Sequence, residues 1–174
     1  TPVWEPNSDR TRARRAVGVT CATVDTARAG LKGGHQRVLV ANGIVDRYGL
    51  LRLRAWMAED SGREIRCFVD SAAGVEAAAR VFAGAAVTLE VLIDVGTPDG
   101  RTGIRDLHEG LRLAELVHGT PGLRLAGVAG YEGVVPNSRA ESTIEAVDRH
   151  CRLVRDVYLV VAKYFETATP VYSM

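Results

Sequence analysis

Short apolar runs rich in β-branched residues alternate along the chain with stretches whose apolar positions recur every three or four residues. The runs read as strands and the periodic stretches as helices, and their repeated alternation predicts a parallel sheet. The first run is Ala16 to Cys21, followed by a helical stretch from Thr26 to Leu31. That stretch stops at Gly33 and Gly34, where glycine can take the left-handed C-cap conformation. Val38 to Asn42 forms the second run, and Leu50, Leu51, Leu53, Trp56 and Met57 follow at helical spacing as far as Ser61-Gly62.

Ile65 to Val69 predicts a third strand, with Asp70 and Ser71 placed to cap a helix carrying Val75, Ala78, Ala79 and Phe82 and ended by Gly84. Leu89 to Val95 is a fourth strand, apolar throughout apart from Glu90 and Asp94, as expected where both faces are covered. A glycine-bearing loop, Gly96 to Gly103, leads to a capping-box pattern at Asp106 and Glu109. A helix then runs through Val117, to be stopped by Gly119 and Pro121. Leu123 to Ala129 is the fifth strand, with Gly130-Tyr131-Glu132-Gly133 at its carboxyl end. Ser138 and Glu141 form a second capping box, opening a long helix whose apolar face is Ile144, Val147, Cys151, Val154, Tyr158, Val161 and Phe165. Pro170, Val171 and Tyr172 open a sixth strand.

Five βα units and the start of another are fewer than the roughly 250 residues of a closed eightfold barrel. The pattern alone leaves an incomplete (β/α)8 barrel and a doubly wound sheet in competition. A doubly wound nucleotide binder announces itself with a glycine-rich turn after its first strand. Val19 to Thr23 has none, which favours the barrel. We read residues 1–174 as one partial barrel domain, with residues 1–15 an N-terminal arm or helix and 16–174 the βα repeats. The chain opens on Thr1 and closes on an apolar run, which reads as part of something longer.

The 174 residues are 47% hydrophobic and 25% charged, and the formal net charge of +1 comes from interspersed acids and bases. This gives no electrostatic footprint for nucleic acid or an anionic membrane, and small-molecule work fits better. No stretch approaches the roughly 18 apolar residues of a membrane span, so a cytoplasmic location is expected. Three widely spaced cysteines, Cys21, Cys67 and Cys151, read as buried thiols in a reducing compartment. Only two of the 22 basic residues, Lys32 and Lys163, are lysines.

In either architecture ligands bind at the carboxyl ends of the strands, which selects Thr23, Asn42, Asp70, Arg101 and the Tyr131 segment. Thr23 and Asp70 suit helix caps, and Asn42 suits either a turn or a polar site contact. The Arg101 guanidinium offers a fixed fork of donors to an anionic oxygen. Tyr131 and Glu132 lie between two glycines, where backbone can approach a flat ligand, although Tyr131 also suits a packed structural role. His35, His108, His118 and His150 share no metal-ligand spacing and read as surface residues. No hydrolase triad, P-loop or zinc-like spacing appears.

At these same positions the chain resembles the alanine-racemase-like barrels that use pyridoxal phosphate (PLP), and among them the D-threonine aldolase, D-serine dehydratase and amino acid deaminase group. The matching words are Gly18 to Thr23 (GVTCAT), Val38 to Asn42 (VLVAN), Cys67 to Ser71 (CFVDS) with Gly74 to Glu76, Val91 to Val95 (VLIDV) with Gly100 to Gly103 (GRTG), and Leu125 to Gly133 (LAGVAGYEG). They occur in the family's order and at near-family spacing.

The resemblance implies that Arg101 lies near the PLP ring and its phenolic oxygen and that Tyr131 flanks the pyridine ring, with Thr23 and Asn42 as outer wall residues. It also implies small D-amino acid substrates and cleavage or elimination chemistry in which PLP is the electron sink. The family's cofactor lysine sits at the end of the first barrel strand, and its phosphate-binding turn follows the seventh. Neither segment is found in this sequence, and Lys32 and Lys163 fall on predicted helices remote from the strand carboxyl ends. By the same resemblance the family's C-terminal β-domain, with its metal ligands, is missing.

The expectation is thus a fragment of a PLP-dependent lyase or deaminase of D-amino acids, inactive alone. The alternatives are a non-enzymatic PLP-binding or interaction module and an unrelated phosphate-binding α/β protein. Open strand edges at Val17 and Val171 further predict self-association, such as a homodimer.

Overall fold

The computed structural model describes residues 18–98 and 100–174. The expected arm 1–15, the start of the first strand at Ala16 and Val17, the strand edge assigned to Val17, and Asp99 lie outside the described residues. The element order is β1 (Val19–Cys21), α1 (Val24–Lys32), β2 (Arg37–Gly43), α2 (Arg47–Glu59), β3 (Glu64–Val69), α3 (Ala72–Phe82), β4 (Leu89–Val95), α4 (Leu107–His118), β5 (Leu123–Gly130), α5 (Glu141–Val161) and β6 (Val171–Ser173), with 3-10 turns at Glu132–Val134 and Ala162–Tyr164.

All six strands are parallel and lie side by side in chain order, β1-β2-β3-β4-β5-β6. A doubly wound sheet must reverse its strand order at a switch point. Here no reversal occurs, and the strands follow the sequence of an opened barrel. Among the described residues, β1 pairs only with β2 and β6 only with β5, so both are edges.

Strand parity divides the side chains between two faces. Val38, Val40, Ile65, Cys67, Val69, Val91, Ile93, Val95, Leu125 and Val128 are buried in one cluster with helical residues such as Leu50, Leu53, Val75, Phe82, Ala114, Val117, Val154 and Val157. The core therefore lies between the sheet and its helices. The opposite parity carries a ladder of charge at the amino ends of the strands. Arg37 pairs with Glu64 at 3.0 Å, and Glu90 takes Arg66 at 2.7 Å and Arg124 at 3.7 Å. Glu90 is thus a concave-face residue held by two guanidinium groups. Between β4 and β5 the register slips as Val91 pairs Leu125 and Leu92 pairs Gly127, leaving Ala126 as the extra residue of a bulge. Gly127 has φ 148°, and a Cβ there would stand 2.1 Å from the Val171 carbonyl oxygen, so glycine allows β6 to close against β5.

Several local expectations need correction. Ser71, not Asp70, caps α3, accepting from the Gly74 amide at 3.3 Å. The Ser138 box does not form: α5 begins after Ala140 with no side-chain cap, and Ser138 accepts from the Ala140 amide instead. At Asp106 only half a box forms, because Glu109 turns to the amide of Arg105. The buried face of α5 is His150, Val154, Val157 and Val161, while Ile144 is exposed and Phe165 lies beyond the helix. Only Cys67 of the three cysteines is fully buried. The left-handed residue after α1 is Gly34 at φ 83°, since Gly33 has φ −73°.

Candidate functional site

At the carboxyl ends of the strands the concave face opens into a cavity of about 510 Å3. Its floor is apolar, formed by Leu39, Ala41, Phe68 and Ala129, and its rim carries Asp94, Thr97, Arg101, Thr102, Tyr131 and Ser173. Arg101 and Tyr131 come from loops after two different strands and meet at this one cavity. Thr23 and Asn42 do not line it.

Thr23 is the N-cap of α1. Its hydroxyl accepts from the Thr26 amide at 3.2 Å and its own amide donates to the Thr26 hydroxyl at 3.0 Å, a reciprocal capping pair. Asn42 Nδ2 donates to the Ala22 carbonyl at 3.0 Å and ties the end of β2 to the turn after β1. Both side chains shape the loops behind the cavity.

The loop between β4 and α4 is folded back on its own strand. Ile104 donates to the Asp94 carbonyl and Gly96 to the Ile104 carbonyl, each at 2.9 Å, so the loop returns as a short bridge beside Val95. Gly103, at φ 92°, occupies the crossing: a Cβ there would stand 2.3 Å from the Gly96 amide nitrogen. Arg105 then pins the loop, its guanidinium donating to the carbonyls of Gly100 at 2.7 Å, Thr102 at 2.6 Å and Gly103 at 2.5 Å. Asp70, released from capping, accepts from the Gly103 amide at 3.1 Å across from the end of β3. The loop is thus held from three sides and presents Arg101, which has no hydrogen-bond or ion-pair partner among the described residues and is exposed.

Asp94 is the polar residue that sequence reasoning passed over. It is buried at the end of β4, and burial pushes its carboxyl above the ordinary carboxylate range, against a hydrogen bond from Thr102 and the nearby Arg105 and Arg101 charges; Asp70 adds a further upward push. Glu90, Leu92 and Asp94 share strand parity, which was the available signal.

The glycines around Tyr131 serve packing. A Cβ at Gly133 would stand 2.3 Å from Cζ of Tyr131, so the ring folds over its own turn and remains 65% exposed. A Cβ at Gly130 would stand 2.6 Å from Cγ2 of Val154 and 2.9 Å from Nε2 of His150, so α5 seats directly under this backbone. The expected surface position of His150 is therefore overturned: it is 3% exposed, and neither ring nitrogen has a partner among the described residues. Burial lowers its affinity for a proton, opposed by Glu132. His35 is half-buried, whereas His108 and His118 are exposed as expected.

Lys32 ends α1 in a groove with Trp56 and Arg63, and Lys163 lies over the Tyr164 ring at 4.8 Å. Neither lines the cavity. Among the described residues no cluster of metal-ligating side chains occurs, and no helix is long and apolar enough to cross a membrane.

No family profile matches the chain. Over 151 residues, 86% of its length, it is 27% identical to a D-threonine aldolase of Arthrobacter sp, covering 38% of that protein. Among solved structures, the D-threonine aldolase from Filomicrobium marinum matches with TM-score 0.80 at 24% identity, over 92% of this chain and 44% of that one. The D-threo-3-hydroxyaspartate dehydratase from Delftia sp. HT23 matches with TM-score 0.79 at 22% identity, over 97% of this chain and 44% of that one. The alanine racemase from E. faecalis matches at TM-score 0.69 and 16% identity, over 97% of this chain and 42% of that one. The chain thus spans less than half the length of the relatives it matches, and at these identities the solved structures establish the fold. The chain has the fold of a partial parallel barrel of the alanine-racemase-like type, shared with the solved D-threonine aldolase and D-threo-3-hydroxyaspartate dehydratase.

Proposed function

We propose that the chain is the cofactor-facing part of a PLP-dependent lyase or deaminase of D-amino acids, of the D-threonine aldolase or D-serine dehydratase type, and that it forms one partial barrel domain. The observation that carries this reading is the meeting of Arg101 and Tyr131 at one cavity on the carboxyl rim of an in-order parallel barrel. The similarity to D-threonine aldolase supports the chemistry named.

The residues of the cavity fit a flat, anionic heterocycle. Leu39, Ala41, Phe68 and Ala129 offer an apolar surface, and Arg101 is a guanidinium with no hydrogen-bond or ion-pair partner among the described residues. Arg101 would donate to the anionic ring oxygen, Tyr131 would flank the ring, and Ser173 and Thr97 would supply hydroxyl donors at the rim. Thr23 and Asn42 would act from behind, by fixing the turns after β1 and β2. When bound, PLP supplies an electron sink for bonds broken at the substrate's α-carbon. The protein's share here is to orient the ring and, through the buried Asp94, to keep the Arg101 loop in place.

Covalent tethering needs an amine aimed into the pocket, and neither lysine of this chain is in the cavity wall. We therefore propose that the chain alone is inactive. The same placement favours a second reading, a module that holds PLP without reacting.

Equilibrium dialysis against PLP tests the site. The chain is expected to bind PLP non-covalently, with Arg101→Gln about tenfold weaker, the usual worth of one charge-assisted hydrogen bond. Borohydride treatment is expected to leave no stoichiometric cofactor label on Lys32 or Lys163. Equal binding by the Arg101→Gln variant, or a label on either lysine, refutes the assignment.

A further inference from the structure

A second cavity, of about 330 Å3, lies behind the Tyr131 segment, between the turn at Gly96 to Pro98, residues 134–136 and the first half of α5. It shares Gly96, Thr97 and Val134 with the rim cavity, so the two adjoin. Part of its wall is aliphatic, including Pro136, Ala146 and Leu153, and part is cationic, with Arg105 and Arg149. Among the described residues no acid lines it.

His150 also lines this cavity, and it is the buried group with both ring nitrogens unpaired. Native proteins satisfy nearly all buried polar atoms, so an imidazole left this way calls for a partner from the space it faces. Even a neutral imidazole carries one N–H donor. Glu132 acts on His150 through its charge, but its own buried Oε2 is likewise unpaired and no hydrogen bond joins the two. Among the described residues Arg149 reaches only Glu145, at 3.8 Å in an exposed pair that holds it weakly. Arg105 donates to three backbone carbonyls and has no carboxylate within ion-pair range among the described residues. The weakly held Arg149, the added positive charge of Arg105, which acts also on Asp94, one orphaned N–H donor and an aliphatic wall make a receptor for an anionic head on a short apolar tail.

We propose that this cavity is a binding site for a small aliphatic carboxylate. Arg149 at the exposed side and His150 at the buried side donate to its oxygens, and its tail lies against Val134, Pro136 and Leu153. The site is separate from Arg101 and does not depend on the PLP reading.

Long-range proton–nitrogen correlation spectra of the full chain resolve the imidazoles and can follow a titration with sodium butyrate at constant ionic strength, with sodium chloride and butyramide as controls. The His150 nitrogens are expected to shift saturably with butyrate alone, while the exposed His108 and His118 stay still. Arg149→Gln is expected to weaken the response about tenfold, and Arg101→Gln to leave it unchanged. Because the Arg149 side chain is 65% exposed, its replacement spares the core, and unchanged Val154 and Val157 methyl signals verify this. A His150 signal that ignores butyrate overturns the proposal. So does an equal response in Arg149→Gln, and so does its loss in Arg101→Gln, which would seat the anion in the rim cavity.

Discussion

Removing the Arg105 side chain is the sharpest perturbation of the rim. In Arg105→Ala three carbonyl oxygens, on Gly100, Thr102 and Gly103, lose donors held at 2.5 to 2.7 Å. Hydrogen bonds involving a charged group are worth roughly 1.5–3 kcal/mol each. The full sum is not expected, because this half-buried loop readmits water to the freed oxygens. A net cost of about 2–3 kcal/mol is the reasonable value, equivalent to about 30- to 150-fold in the folding equilibrium. Arg105→Lys sharpens the test. An ammonium keeps the charge but cannot span three divergent carbonyls as a planar fork does, so lysine should recover less than half of the loss. Urea unfolding measures both variants, and PLP dialysis should report weaker binding for both, because the loop presents Arg101. An alanine variant within about 0.5 kcal/mol of the parent, the range of ordinary surface changes, would refute the pinning role. A lysine variant equal to the parent would refute the fork geometry while leaving the charge.

Two further outcomes follow from burial. Asp94 has its folded-state carboxyl raised above the ordinary 3.8, so the proton it retains stabilises the fold in acid and that contribution is lost as pH rises through the elevated value. Asp94→Asn keeps an acceptor for Thr102 without the charge, so urea midpoints should show its stability relative to the parent improving from about pH 3.5 to pH 7; a constant difference would refute the buried-charge argument. The Cys67 thiol is pushed up to about 12 by complete burial, so at neutral pH a thiol reagent should label it only after denaturation, and prompt labelling in the native state would contradict the core assignment.

The strands were legible because their signal is local. Leu89 to Val95 reads as a strand and is β4 residue for residue, since a short, nearly continuous apolar run suits a strand buried on both faces. The choice of a barrel over a doubly wound sheet rested on a missing glycine turn, and the in-order pairing of six strands now carries it independently. The caps were less legible, because a side chain can be diverted by a tertiary partner. Asp70 takes the Gly103 amide across the sheet and leaves capping to Ser71, and Glu109 takes the Arg105 amide. No spacing rule within one segment can foresee such a choice.

His150 and Asp94 are hidden for a different reason: each is a polar residue in a phase whose other members are apolar or charged. The steps of three and four along α5 are real, but following apolar members alone gives Ile144, Val147, Cys151, Val154, Tyr158 and Val161, whereas the buried face runs His150, Val154, Val157, Val161. Val154 and Val161 belong to both sets, while His150 and Val157 take the buried places expected of Cys151 and Tyr158, so a polar residue sits inside the face. In β4 the period of two places Glu90, Leu92 and Asp94 on one side, so the two acids read as exceptions in an apolar run are the lower and upper ends of the concave surface. Glu90 meets its charge partners at the amino end, and Asp94 meets Thr102 at the carboxyl end. Polar residues that share a phase with buried apolar ones tolerate that position only when a partner is supplied. In β4 the protein itself supplies both partners. On α5 no described residue hydrogen-bonds the His150 ring, and that unmet donor is what the proposed carboxylate would satisfy.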